Sequence, residues 1–211
     1  MKPASAEHAQ SLPRAHVVDD DDALRDALGF LLHSRGVEVT PYVSAEAFLA
    51  AFHQNMRGCI LTDIRMGGMS GLDMFDRLEA RQCHLPLIVL TGHGNVAMAV
   101  GALKKGVRDF VEKPFNTNSL ADKVIAAIAD DALAATRRDE KSAFAAKLAA
   151  LSEREREVMD LLLAGKMNKV IADQLDIAMR TVEVHRSRIF ARMGVRSAVE
   201  LANLMSRMSL A

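Results

Sequence analysis

The sequence predicts an α/β domain built on a five-stranded, doubly wound parallel sheet, followed by a small all-α domain of four helices. Two patterns carry this prediction. From Ala15 to about Leu133, short apolar runs alternate with amphipathic helical stretches, which is typical of a parallel sheet covered by helices on both faces. Beyond that point every apolar repeat has the helical period. The length of 211 residues suits one medium domain and one small domain.

Each predicted strand is a short apolar run, and each predicted helix carries one apolar stripe. The strands cover 15–19, 37–42, 58–63, 86–91 and 108–112. The helices that follow them lie near 22–35, 44–54, 71–81, 95–105 and 117–135. These strand–helix units predict one domain at residues 14–135, preceded by a flexible leader at residues 1–13.

A polar segment separates this domain from the helical one. Residues 136–142 are nearly all polar and have no apolar period, so they form either a linker or a solvated extension of the last helix. We assign residues 136–147 as the linker and residues 148–211 as the second domain.

The second domain contains four short helices. Its middle helices cover 168–175 and 179–193, and this pair has the proportions of a helix-turn-helix. The first and fourth helices begin at capping boxes, in which a serine is followed three residues later by a glutamate. These pairs are Ser152 with Glu155, and Ser197 with Glu200.

The composition excludes several classes of protein. No apolar run approaches the roughly 20 residues that span a bilayer, and the N-terminus lacks a secretion signal, so we expect a cytoplasmic protein with no membrane association. Cys59 and Cys83 are too few for a disulfide framework.

The net charge is −4 over residues 1–136 and +4 over residues 137–211. This asymmetry suggests a regulatory part and a nucleic-acid-facing part, although a chance distribution of surface charge explains it equally well.

Four of the predicted strands end in carboxylate, hydroxyl or ammonium side chains, which should converge at one edge of the sheet. These residues are Asp19, Asp20, Asp63, Thr91 and Lys113. Clustered carboxylates repel one another unless a hard cation neutralises them, and Mg²⁺ suits this set best. One Asp would then act as the nucleophile toward a phosphoryl group.

Five stretches make the first domain similar to the receiver domain of bacterial response regulators. They are Val17–Asp20, Thr62–Met66, Met69–Gly71, Thr91–Gly94 and Lys113–Phe115. The resemblance implies a flavodoxin-like fold and phosphorylation of Asp63 by a histidine kinase.

The resemblance also implies roles for the neighbouring residues. Thr91 and Lys113 match the residues that sense the phosphoryl group. Phe110 matches an aromatic side chain that moves inward on activation, and an ordinary half-buried strand aromatic is the other interpretation. The implied ligands of Mg²⁺ are Asp19, Asp20, Asp63 and the backbone carbonyl of Arg65.

Two features depart from the receiver pattern. Gly67 stands where most members have Pro, and glycine restricts the backbone of this loop less. Asp21 and Asp22 extend the acidic pair to four residues, which leaves open which two bind the metal. Asp22 is also a candidate cap for the helix that follows.

Residues 148–208 are similar to the LuxR-type helix-turn-helix domain over three stretches. They are Leu151–Val158, Asn168–Ala172 and Thr181–Ile189. Together with a receiver domain, this resemblance points to the FixJ/NarL class of transcription regulators. It implies binding to double-stranded promoter DNA, homodimer formation on phosphorylation, and contact with RNA polymerase.

The helix at 179–193 should pack through Val182, Ile189 and Met193 and present its opposite face to the major groove. The candidate DNA-binding residues are Lys169, Thr181, Glu183, Val184, Arg186, Ser187 and Arg188. Glu183 reads a base in one interpretation and balances nearby arginines in the other. Ala178 stands where the family usually has Ser, so the helix should lack a side-chain N-cap.

These features together predict a DNA-binding response regulator rather than an enzyme. Two other hypotheses remain at this point. A Mg²⁺-dependent phosphohydrolase with an aspartyl nucleophile needs a second Asp two positions after Asp63, where this chain has Arg65. A receiver that acts without phosphorylation would not require the acidic set.

Overall fold

The structure is a computed structural model that describes residues 13–92 and 96–210. The chain divides into two compact units, and the boundary falls between Ala134 and Ala135. The expected leader at residues 1–13 lies outside the described residues except for Pro13. Within the described ranges, no helix combines the length and the apolar character that crossing a membrane requires.

The first unit is built on a five-stranded, fully parallel sheet with strand order β2-β1-β3-β4-β5. This confirms the predicted fold class. The strands are β1 (Arg14–Val18), β2 (Glu38–Tyr42), β3 (Cys59–Asp63), β4 (Leu87–Thr91) and β5 (Asp109–Glu112). β3 and β4 lie inside the sheet, which explains why their sequences are nearly continuous apolar runs.

Helices cover both faces of this sheet. They are α1 (Asp22–Ser34), α2 (Ala45–Ala51), α3 (Gly71–Ala80), α4 (Val96–Lys105) and α5 (Thr117–Ala149). Neighbouring strand residues point to opposite faces, so Leu61 packs with α1 and α5, whereas Ile60 packs with α2 and α3. The two resulting apolar cores fix the sheet and leave its carboxyl edge available for polar side chains.

Helix α5 is one continuous helix of 33 residues. It includes residues 136–147, so this segment is helical, which is one of the two structures that the sequence left open. Its polar stretch consists largely of Arg, Glu and Lys, which have high helix propensity. The part of α5 from Ala135 onward belongs to the second unit, and its residues Phe144 and Leu148, four residues apart, pack against that unit's own core.

The second unit contains α6 (Glu153–Leu163), α7 (Asn168–Leu175), α8 (Met179–Met193) and α9 (Ala198–Leu210). The capping box of Ser152 and Glu155 is formed as predicted. Ser197 accepts a hydrogen bond from the Glu200 N–H, but the Glu200 carboxylate accepts from the Arg196 N–H and not from that of Ser197. Helix α8 has no side-chain N-cap hydrogen bond, as the sequence predicted.

Candidate functional site

The carboxyl edge of the sheet brings together the side chains that the sequence placed there. Asp63 ends β3 and is paired with Leu90 of β4, one residue before Thr91. Thr91 in turn is opposite Glu112, and Lys113 follows directly. The Lys113 backbone N–H donates to the Thr91 carbonyl at 2.7 Å. The register of the parallel strands therefore sets the positions of these residues.

The Lys113 ammonium lies between two carboxylates. Its Nζ is 3.3 Å from Asp63 Oδ1 and 3.4 Å from Asp19 Oδ2. The exposed fractions are 2% for the Asp19 side chain, 16% for Asp63 and 25% for Lys113. One partly buried cation thus offsets the repulsion between two carboxylates.

Asp19 is a carboxylate whose ionised form is penalised by its surroundings. Burial raises the pKa of the Asp19 carboxyl, and the negative charge of Asp63 adds to the rise. The Asp21 N–H, which donates to Asp19 Oδ1 at 2.9 Å, and the Lys113 ammonium oppose it. A further cation at this edge would stabilise the charged form, as the chemistry of a Mg²⁺ site requires.

The four consecutive aspartates have separate roles. Asp21, and not Asp22, caps α1, since its side chain accepts from the Ala23 and Leu24 N–H groups at 2.9 and 3.2 Å. Asp22 is the first residue of the helix and pairs with Arg25. Asp21 and Asp22 thus contact the first turns of α1, whereas Asp19 contacts Lys113 at the edge of the sheet.

Asp20 contacts the loop that follows β3. Its Oδ2 accepts from the Gly67 N–H at 2.8 Å. On the same loop the Met69 N–H donates to Oε1 of Glu46, from the first turn of α2, at 2.9 Å. The sequence did not single out Glu46, because 23 residues separate it from Met69 and no local pattern connects them.

A close backbone approach supports Asp63. A Cβ on Gly71 would lie 2.3 Å from the Asp63 carbonyl oxygen and 2.9 Å from Thr62 Cγ2, so only glycine fits at this position. The Gly71 N–H donates to the Ile64 carbonyl at 3.1 Å, and Ser70 caps α3. The segment after Asp63 is therefore turned back tightly against the end of its own strand.

Thr91 is buried at the end of β4, and Phe110 is half-buried on β5. The Phe110 ring packs against the core between the sheet and helices α2 and α3. Both interpretations of Phe110, switching aromatic and ordinary strand aromatic, are compatible with this position. His93 and Gly94, which completed the Thr91–Gly94 stretch, lie outside the described residues.

The donor set at this edge suits Mg²⁺ in its chemistry, because it consists of carboxylate and carbonyl oxygens. Among the residues that the structure describes, no three His, Cys, Asp or Glu side chains already form a metal-binding group. One of the expected ligands is the backbone carbonyl of Arg65, which is not a side-chain group.

The second unit presents a separate polar surface on α7 and α8. Val182, Ile189 and Met193 are buried in its core, as predicted. The opposite surface carries exposed residues, including most of those proposed to bind DNA. These are Lys169, Thr181, Glu183, Val184, Ser187 and Arg188.

Arg186 differs from the other candidates because it has partners within its own unit. Its guanidinium donates to Oδ1 of Asn168, the first residue of α7, and lies 5.5 Å from the centre of the Phe190 ring. This contact joins α7 to α8. Sequence reasoning missed it because Asn168 and Arg186 are 18 residues apart.

Comparison with known families decides the classification. Residues 15–125 match the response regulator receiver domain, and residues 149–205 match the bacterial regulatory proteins of the luxR family. The chain belongs to the response regulators. Its receiver and LuxR-type domains place it among the FixJ-like members, which act as transcriptional regulators in two-component systems.

This response regulator is similar to curated transcriptional regulators over nearly its whole length. It is 46% identical to the transcriptional regulatory protein FixJ of Azorhizobium caulinodans over 195 residues, or 92% of each chain. It is 49% identical to the C4-dicarboxylate transport transcriptional regulatory protein DctR of Rhodobacter capsulatus over 191 residues. That match covers 90% of this chain and 97% of DctR.

Solved structures of response regulators are also similar to this one. The response regulator StyR matches with a TM-score of 0.89 and 36% identity, over 93% of this chain and all of StyR. Full-length FixJ from B. japonicum matches with a TM-score of 0.58 and 41% identity, over 94% of this chain and 98% of that one. The relatives are transcriptional regulators and not enzymes. A receiver joined to a DNA-binding domain implies a histidine kinase partner and DNA binding.

Proposed function

We propose that Asp63 accepts a phosphoryl group from a histidine kinase, and that the modification controls promoter binding by the LuxR-type domain. The observation that carries this proposal is the position of Asp63 Oδ1, 3.3 Å from the Lys113 ammonium at the carboxyl edge of the sheet. A carboxylate oxygen of Asp63 attacks phosphorus as the bond from phosphorus to the donor's histidine breaks. Labelling by acetyl phosphate, read by mass spectrometry of the peptide that contains Asp63, tests this step.

The residues around Asp63 can offset the negative charge that a phosphoryl group adds. When bound, Mg²⁺ would neutralise phosphoryl oxygens, and its proposed ligands are Asp19, Asp20, Asp63 and the Arg65 carbonyl. Lys113 would pair with an added phosphoryl oxygen, and the Thr91 hydroxyl would donate a hydrogen bond to another. Both side chains are thus proposed to sense the modification.

Phosphorylation would act by shifting a population of conformations. The phosphoryl group can add only the contacts that differ between the two states. Phe110 is the proposed moving side chain, and the active state is proposed to form a homodimer on promoter DNA and to engage RNA polymerase in the cytoplasm. A coupling of about 1–3 kcal/mol would change operator affinity by about 5- to 150-fold.

We infer that the exposed surface of α7 and α8 contacts DNA in two ways. Lys169 and Arg188 are exposed cations, so we propose that they contact phosphates and supply affinity without sequence information. Thr181 and Ser187 are proposed as further polar contacts beside them. Glu183 and exposed Val184 lie early in α8, where a carboxylate can accept from cytosine N4 and an isopropyl group can touch a thymine methyl.

Replacing Lys169 or Arg188 by Ala is expected to weaken binding to all DNA sequences, because each change removes one phosphate contact. The slope of log affinity against log salt concentration should fall by about 1 in each variant. Fluorescence anisotropy at several salt concentrations measures both effects. Lys141→Ala is the control, since it removes an exposed cation of α5. An unchanged slope in the Lys169 and Arg188 variants would exclude the phosphate contacts.

Glu183→Ala and Val184→Ala are expected to alter base preference instead. Each should change affinity by about 1–3 kcal/mol at one base pair and leave the salt slope nearly constant. Binding to a panel of single-base operator variants measures the preference. If a substitution lowers affinity equally for every operator variant, that residue does not read a base. For Glu183, that outcome would mean that its carboxylate only balances nearby arginines.

A further inference from the structure

The loop between β3 and α3, residues 64–70, carries part of the proposed metal site. It follows Asp63 directly and contains Arg65, whose backbone carbonyl is a proposed ligand. The loop also contains Gly67 and Gly68 in succession. Glycine leaves the backbone with the widest choice of conformations, so another feature must hold the Arg65 carbonyl in place.

Two carboxylates from different elements hold this loop. Asp20, after β1, accepts from the Gly67 N–H at 2.8 Å, and Glu46, on α2, accepts from the Met69 N–H at 2.9 Å. A proline at position 67 would have no N–H to donate, so the bond to Asp20 depends on a residue other than proline. The loop is thus tied on one side to a proposed metal ligand and on the other to a helix.

The contact with Glu46 is close and favours the charged carboxylate. A Cβ on Gly68 would lie only 3.0 Å from Glu46 Oε1, so glycine at this position allows the carboxylate to approach the backbone. The hydrogen bond from the Met69 N–H is the main cause that lowers the pKa of Glu46. Ser44 caps the short helix α2 and accepts from the Ala47 N–H at 3.1 Å, which fixes the turn that bears Glu46.

We propose that Glu46 is a positioning residue for Mg²⁺ binding and phosphorylation at Asp63. By holding the Met69 N–H, Glu46 restrains the glycine-containing loop, so that the Arg65 carbonyl and Asp20 stay at the edge where the cation binds. Ligands that are already restrained lose less freedom when the metal arrives. This inference rests on the proposed function of Asp63, because it assigns a support to the same site.

The test compares Glu46→Ala, which removes the acceptor, with Glu46→Gln, which keeps an acceptor oxygen but removes the charge. Calorimetric titration of the unphosphorylated full-length protein with MgCl₂ gives the dissociation constant for Mg²⁺. We expect Glu46→Ala to raise it about tenfold and Glu46→Gln to raise it less than about threefold. Glu79→Ala is the control, because Glu79 is an exposed carboxylate near the opposite end of α3.

The rate of labelling by acetyl phosphate provides a second measurement. Glu46→Ala should need about tenfold more Mg²⁺ for half-maximal labelling, whereas the rate at saturating Mg²⁺ should stay within about twofold of the parent rate. In the metal-free protein, amide hydrogen exchange at Met69 should be faster in Glu46→Ala than in the parent or Glu46→Gln.

Three outcomes would overturn the inference. In the first, Glu46→Ala binds Mg²⁺ as tightly as the parent. In the second, Glu46→Gln loses as much Mg²⁺ affinity as Glu46→Ala, and in the third, Glu79→Ala does. The second and third would mean that negative charge, and not the hydrogen bond, attracts the cation. Failure of the parent protein to bind Mg²⁺ or to be labelled at Asp63 would instead contradict the proposed function, so the two results can be told apart.

Discussion

Replacing Asp63 by Asn is expected to abolish phosphorylation of the full-length protein by acetyl phosphate. The amide of Asn has nearly the shape of the carboxylate but is a poor nucleophile, so no acyl phosphate should form. Mass spectrometry should find the peptide that contains residue 63 phosphorylated in the parent and unmodified in the variant. Asp26→Asn, which neutralises an exposed carboxylate on α1, should leave labelling unchanged.

The fold should tolerate the change from Asp63 to Asn. The Lys113 ammonium keeps Asp19 as a partner at 3.4 Å, and the repulsion between the two carboxylates disappears. We therefore expect the free energy of unfolding in the absence of metal to stay within about 1 kcal/mol of the parent value. Full labelling of the variant would show that the phosphoryl group is carried by another residue.

The sequence predicted the sheet, and also which side chains meet at its carboxyl edge, because both depend on local patterns. An apolar run that ends in Asp63 or Thr91 specifies a buried strand and also the edge at which it stops. Since parallel strands all end at the same edge, finding the strands was enough to find the residues that meet there.

Contacts between residues distant in sequence could not be predicted in this way. The hydrogen bond of Met69 with Glu46 and that of Asn168 with Arg186 each join two elements across a chain reversal. Neither pair has a period or a motif, because the contact arises only after the elements have packed. That Arg186 contacts a DNA phosphate stays a prediction, which rests on the charge of its guanidinium.

The remaining differences between prediction and structure lie in two segments whose sequences are compatible with two local structures. Four consecutive aspartates offer several possible helix starts, and α1 begins at Asp22 because the Asp21 side chain accepts from the Ala23 and Leu24 N–H groups and so caps the helix. The segment at 136–147 is polar, but its residues are strong helix formers and α5 continues through it. In both places the sequence allowed two structures, and side-chain contacts or propensity decided between them.

The contacts that support the start of β3 were also not predicted from the sequence. Gly58 precedes the strand that ends in Asp63, with φ of +117°. Its N–H donates to Oδ2 of the buried Asp131 at 2.9 Å, across 73 residues. A Cβ at this position would lie 2.0 Å from the Arg14 carbonyl oxygen at the start of β1. Only glycine combines this backbone angle with so close an approach.

Gly58→Ala is therefore expected to destabilise the receiver domain by more than about 3 kcal/mol, since it adds a backbone clash to the strain of a positive φ. Gly36→Ala is the matched control, because Gly36 has φ of +76° but no neighbour within 4 Å of its added Cβ. Backbone strain alone should lower the free energy of unfolding of that variant by about 1 kcal/mol.

Urea unfolding of the full-length variants can be followed through Tyr42, the only tyrosine in a chain without tryptophan. Tyr42 packs edge-on against Phe48 at 5.0 Å between ring centres, so its fluorescence reports the receiver domain alone. An equal loss of unfolding free energy in the Gly58 and Gly36 variants would mean that the backbone at the start of β1 shifts to accommodate the added Cβ. A larger loss at Gly58 would show that the contact between Arg14 and Gly58 is rigid, and that it anchors the strand that presents Asp63.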